Sequence, residues 1–326
     1  MALRGSLHYM LPSQLNVGVK VIFPVESQSS VRSAQALPAT TTLGPVHIAV
    51  TDRAKALLIW RDVVGLDLIA EEGNALSLGA GGKVLIVLET GAVRPVVQRT
   101  TGLYHVAIHV PTRPDLAQLA VRALQRNVRI APTDHLVSEA IYLWDLDGNG
   151  IEITFETPWR GHLGDPDSGA YATTADGKPH SGREPIDMQD LLGELGPKPV
   201  IQPRMPDGTR IGHVHVHVND LHQAMAFYRD GLGFAGLFLI KSFGMGDVGL
   251  GYMPHAIAFN IWSGPNAAQA PAGSAGLRWF TVVVPDNGVL EDVRARLRSV
   301  GSEFGDIPKG IEARDPSGNL VKIITA

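Results

Sequence analysis

The chain has 326 residues, enough for two domains of roughly 150 residues each, with 28 basic against 32 acidic side chains and a net charge of −4. With 44% hydrophobic and 18% charged residues it can bury a sizeable core, which excludes a disordered or collagen-like chain. No Lys/Arg run gives the footprint of a nucleic-acid binder, and no apolar run approaches the ~20 residues of a membrane helix. The absence of cysteine excludes disulfides, iron–sulfur clusters, thiolate zinc and cysteine nucleophiles. Any metal must therefore be held by His, Asp, Glu or main-chain oxygen.

Residues 1–42 are rich in Ser, Gln and Val and lack the apolar core and small-residue cleavage site of a secretory signal. They read as a disordered leader without chemistry, on a chain expected in the cytoplasm. From Gly44 onward the sequence repeats itself. Gly44-Pro-Val-His-Ile-Ala-Val-Thr-Asp52 matches Gly212-His-Val-His-Val-His-Val-Asn-Asp220. Both predict a strand of period two ending at an Asp that caps the helix behind it, Arg53–Val64 and Leu221–Asp230. Further on, Gly102-Leu-Tyr-His-Val-Ala-Ile-His-Val-Pro111 aligns without a gap to Gly276-Leu-Arg-Trp-Phe-Thr-Val-Val-Val-Pro285. Amphipathic helices follow over Asp115–Asn127 and Val289–Val300. Each half closes on a turn and strand, Asp145-Leu-Asp-Gly-Asn-Gly-Ile-Glu-Ile153 and Asp315-Pro-Ser-Gly-Asn-Leu-Val-Lys-Ile323.

The chain thus carries four strand–helix–three-strand units. Their expected pairing is within each half, 43–156 and 210–326. Between the halves, 157–209 is a Gly-, Pro- and Asp-rich connection with one helical candidate around Ile186–Leu195. A single unit leaves an open sheet edge, so units pair, and the remaining edges favour a homo-oligomer.

Three polar residues interrupt apolar strands at comparable points: His47, His105 and Glu152. A lone strand His is usually a satisfied, half-buried residue, but three ionisable groups buried separately would each cost several kcal/mol, on the order of magnitude. A shared cation removes that cost. Two imidazoles and one carboxylate form the facial set that leaves open positions on Fe(II). In the second half the matching residues are His215, Trp279 and Lys322, which cannot form such a set. His213, His215 and His217 share one strand face and form a rival metal pair, with a solvated or interface face as the favoured reading. His109 lies about 13 Å along its strand from His105, too far to share its metal.

Four βαβββ units with closing Asp-x-x-Gly-Asn turns resemble the vicinal oxygen chelate superfamily, an α+β fold of two half-barrel domains. The segments Gly102–His105, Asp134–Tyr142, Asp145–Glu152, Gly212–His217 and Asn260–Trp262 are most similar to extradiol ring-cleaving enzymes of the catechol 2,3-dioxygenase type. That resemblance implies His47, His105 and Glu152 as ligands of Fe(II), with Mn(II) as the substitute, and a catechol-type aromatic diol and O₂ as substrates. It also implies Tyr142, ten residues before Glu152, and His135 as catalytic groups. Better-known two-domain relatives keep their metal in the C-terminal half, whereas the motifs here place it in the first. The family also places an acid–base His on the last strand of the first unit of the active pair, and Lys83–Glu89 has none. The same scaffold hosts glyoxalase-like metal-dependent isomerases and lyases and metal-free, resistance-type binding proteins.

Overall fold

The computed structural model describes residues 36–165, 170–251 and 253–326. The leader reading falls mostly on residues outside this set. Its described end is packed: Leu37 is buried and its amide donates to the Gly233 carbonyl.

The first unit comprises β1 (Thr42–Val50), α1 (Arg53–Leu57) widening into a π turn over Leu58–Val63, then β2 (Asp67–Glu72), β3 (Ala75–Ala80) and β4 (Lys83–Thr90). The second is β5 (Thr100–His109), α2 (Arg113–Gln125), β6 (Ala131–Asp134), β7 (Ser138–Trp144) and β8 (Gly150–Glu156). The connection is not bare coil. It holds β9 (Gly161–Asp165), β10 (Ala170–Thr174) and β11 (Pro179–His180) in a small sheet, followed by α3 (Met188–Gly193), the helix expected near Ile186–Leu195.

The third unit is β12 (Arg210–His217), α4 (Leu221–Met225) with a π turn over Ala226–Leu232, β13 (Ala235–Ile240), β14 (Met245–Leu250) and β15 (Met253–Asn260). A short β16 (Ala268–Gln269) precedes the fourth: β17 (Gly276–Val284), α5 (Asn287–Ser299), β18 (Phe304–Ile307), β19 (Gly310–Arg314) and β20 (Leu320–Thr325). Helix starts follow the sequence signals. The carboxylates of Asp52, Asp220 and Asp286 accept from the amides of Lys55, Gln223 and Val289.

The two closing turns are built alike. Asp145 accepts from the amides of Asp147 and Asn149 and from the Asn149 side chain; Asp315 does the same with Ser317 and Asn319. Gly148 and Gly318 sit at φ 92° and 93°, which only glycine adopts freely. Each Asp also anchors the helical segment of the preceding unit, through Trp60 Nε1 to Asp145 and Tyr228 OH to Asp315.

The pairing of units differs from the expectation. One sheet runs β18-β19-β20-β17-β1-β4-β3-β2 and the other β13-β14-β15-β12-β5-β8-β7-β6. Units one and four share the first, units three and two the second. Each half-barrel therefore takes one unit from each half of the sequence. Strand alternation fixes which face of a strand is buried but not which neighbour its edge finds. Here β5 finds β12 and β1 finds β17, both antiparallel.

One continuous apolar core links both sheets to the helices. In the nine-stranded sheet, Val106 and Ile108, Ile151 and Ile153, and Val214 and Val216 all point into it. The alternate residues of β5, β8 and β12 must then emerge together on the opposite face. Among the described residues no helix is long and apolar enough to cross a membrane.

Candidate metal centre and its surroundings

On that opposite face, Ala107 of β5 lies in register between His213 of β12 and Glu152 of β8. Its methyl group leaves the middle of the row open. His213 and Glu152 lean in over it from the flanking strands, and His105 reaches the same point from two residues along β5. His105 Nε2 lies 2.9 Å from Glu152 Oε2, His213 Nε2 lies 3.1 Å from the same oxygen, and the two Nε2 atoms are 3.0 Å apart. All three residues are buried.

These distances fit a metal. Three adjacent positions of an octahedron with bonds of about 2.1 Å have edges of about 3.0 Å, whereas tetrahedral ligands at that length stand about 3.4 Å apart. Two imidazole nitrogens and a carboxylate oxygen turned on one another can share a cation, which would offset the repulsion between their lone pairs. His105, His213 and Glu152 can hold a divalent metal with open positions. Burial, with His255 adding to it, keeps His213 well below the ordinary imidazole value, the neutral state a ligand needs.

Neighbours fix the ligands. Thr154 Oγ1 donates to Glu152 Oε1 at 2.9 Å, leaving Oε2 for the centre. The His109 ring stands edge-on to His213 with centroids 5.9 Å apart and lies over Gly212. A Cβ at Gly212 would fall 1.8 Å from His109 Cδ2, so no larger residue fits there. His109 itself stays outside the triad.

The structure brings His105 and Glu152 together but not His47, which corrects the expectation that His47 is the third ligand. His47 lies on β1, in the other sheet, its ring stacked on Trp279 at 3.9 Å with Lys322 Nζ 3.6 Å from the Trp279 ring centre. Burial, with Lys322 adding, lowers its pKa to about 4. The third place in the triad is held by His213, two residues before His215, the residue that the repeat aligns with His47, so the face carrying His213, His215 and His217 is part of the candidate site rather than a solvated or interface face.

His215 is also buried, and its Nε2 accepts from Asn260 Nδ2 at 2.8 Å. Asn260 Oδ1 accepts from His217 Nδ1 and from the Trp262 amide. Tyr104 packs its ring among His105, His215, His217 and Trp262.

His135 and Tyr142 both lie beside the triad. Tyr142 pairs in register with Glu152, and its ring is 5.4 Å from that of His105. The His135 Nδ1–H donates to the Gly182 carbonyl at 2.6 Å, which leaves Nε2 as acceptor for the Tyr142 hydroxyl at 2.8 Å. Burial lowers the His135 pKa, in keeping with a neutral ring.

Sequence reasoning missed His255 and Asp247. With units three and two paired, the strand that corresponds to Lys83–Glu89 is β15, and it carries His255. The His255 ring is 4.1 Å from that of His213, and its Nδ1 contacts Asp247, which is wholly buried on β14. Burial works against protonation of His255, but the Asp247 carboxylate more than offsets it and raises the pKa. Burial in turn raises Asp247, against the pull of His255, to about 6. The signal for His255 was present in the sequence, on a strand assigned to the wrong half-barrel.

Comparison with known proteins agrees with this architecture. A "Catechol-2,3-dioxygenase" of Bacillus subtilis (strain 168) is 33% identical over 288 residues, covering 87% of this chain and 97% of that protein. A glyoxalase I mutant from Zea mays superimposes with a TM-score of 0.54 at 12% identity, over 87% of this chain and 94% of that one. A further crystal structure, from Bacillus subtilis subsp. subtilis str. 168, gives a TM-score of 0.57 at 14% identity, over 87% and 85%. The family model described as "Glyoxalase/Bleomycin resistance protein/Dioxygenase superfamily" matches residues 42–153 and 210–323, the two repeats read from the sequence, and the chain belongs to that superfamily.

Proposed function

We propose that this protein is an extradiol ring-cleaving dioxygenase that acts on a catechol-type aromatic diol with O₂. The observation that carries the reading is the convergence of two imidazoles and one carboxylate at mutual distances of 2.9–3.1 Å, with His135, Tyr142 and His255 around them. The curated relative named for this activity supports it. His105, His213 and Glu152 would hold the metal, Fe(II) or, in its place, Mn(II). Such an ion, when bound, supplies open positions for the diol and O₂ and the redox activity that joins them.

The chain's own groups divide the remaining work. Tyr142 OH is hydrogen-bonded to His135 Nε2, and this pair can orient a diol hydroxyl and take its proton at that nitrogen. His255, held by Asp247 and raised in pKa, is a proton donor placed next to His213. Tyr104 and Trp262, in edge-on contact with each other, offer an aromatic wall for the ring. Protein purified without oxygen and loaded with Fe(II) is expected to consume O₂ on addition of catechol and form a yellow ring-opened product. Loaded protein that neither takes up oxygen nor changes colour with any catechol would rule the reading out.

A further inference from the structure

The connection between the halves contributes a cation to the edge of the same site. Gly182 receives the His135 imidazole, and the next residue is Arg183. The Arg183 guanidinium carbon lies 4.2 Å from the Phe243 ring centre and 5.8 Å from that of Trp262. These rings are themselves fixed: Trp262 Nε1 donates to the Phe243 carbonyl, and the two ring centres are 5.2 Å apart. Trp262 meets Tyr104 edge-on at 5.1 Å, and Tyr104 in turn contacts His105 at 4.9 Å. A continuous aromatic path therefore runs from Arg183 to the triad.

Three segments far apart in sequence build this corner: the connection, the turn after β13 and the residues after β15. Among the described residues no carboxylate pairs with Arg183. A guanidinium stacked on aromatic faces keeps its N–H edge free to meet a planar anion with two parallel hydrogen bonds.

We infer that the site takes an aromatic diol bearing a carboxylate, with Arg183 pairing to that carboxylate while the ring lies along Trp262 and Tyr104. This inference names the substrate class and rests on the diol-binding reading above. Its test is equilibrium binding under anaerobic conditions, by titration calorimetry on metal-loaded and metal-free protein. The probes are 2,3- and 3,4-dihydroxybenzoate against 3- and 4-methylcatechol, which match them in shape without the charge. The better of the two acids is expected to bind the metal-loaded wild type about tenfold or more tightly than its methyl counterpart. In Arg183→Gln that acid should fall to within about twofold of the methyl compound, and Arg183→Lys should recover part of the preference. Equal or weaker binding of both acids by the wild type, or a preference that survives in Arg183→Gln, would overturn the inference while leaving the diol reading intact. If none of the four probes binds better to metal-loaded than to metal-free protein, the diol reading fails and the inference with it.

Discussion

His213 and Glu152 come from strands on opposite sides of β5, and their donor atoms meet at 3.1 Å above Ala107. The meeting depends on a residue with almost no side chain at the centre of the row. Ala107→Leu should put three further carbon atoms where the metal would lie. The expected result is loss of bound metal with the circular dichroism of the fold retained, though overpacking costs about 1–3 kcal/mol of stability. Normal metal content in that variant would mean the ion sits elsewhere.

Proton transfer gives a second test. Tyr142→Phe removes the hydroxyl that pairs with His135 and leaves the ring in place, so metal content should hold while turnover falls on the order of 10²-fold. A rate unchanged in Tyr142→Phe would reduce that residue to packing.

Asp247 touches no substrate in this account; it positions and charges His255. Asp247→Asn removes the influence that raises the His255 pKa and leaves burial to lower it. If protonated His255 is the donor, the alkaline limb of the pH–rate profile must move to lower pH in Asp247→Asn, because the charged form is then lost earlier. An unshifted alkaline limb would assign the donor elsewhere.

His47 offers a contrast from the other sheet. Its pKa is lowered from 6.5 to about 4 in the folded protein by burial and by Lys322. The unfolded chain therefore binds the proton first, and folding stability due to this residue is full above about pH 6.5 and lost as pH falls toward 4. His47→Leu should flatten the fall in denaturation midpoint between those values relative to wild type. Parallel curves for the two proteins would show that His47 is not kept neutral by the fold.

Much of this was legible in the residues. The Asp145 and Asp315 turns, with glycine at the left-handed position and Asn side chains closing back on the carboxylates, identify the repeat because local chemistry dictates them. His105 and Glu152 stood out because a polar side chain between core-facing residues has to be accounted for. Which strand lies beside β5 was not legible, since β1 and β12 present equally apolar core faces and only the assembled structure selects an edge partner. That ambiguity favoured β1 over β12 and hid His255; the repeat itself aligns His47 with His215, so His213, two residues earlier on β12, had no counterpart to point to it. The three candidate ligands come from β5, β8 and β12 and so from both halves of the chain, whereas the sequence places all three in the first half.

Metal analysis of anaerobically purified wild type, His213→Ala and His47→Ala tests the central claim most directly. About one equivalent of divalent metal is expected in the wild type and in His47→Ala, and none in His213→Ala, with all three folded. Metal retained by His213→Ala, or lost from His47→Ala, would contradict the three-strand centre.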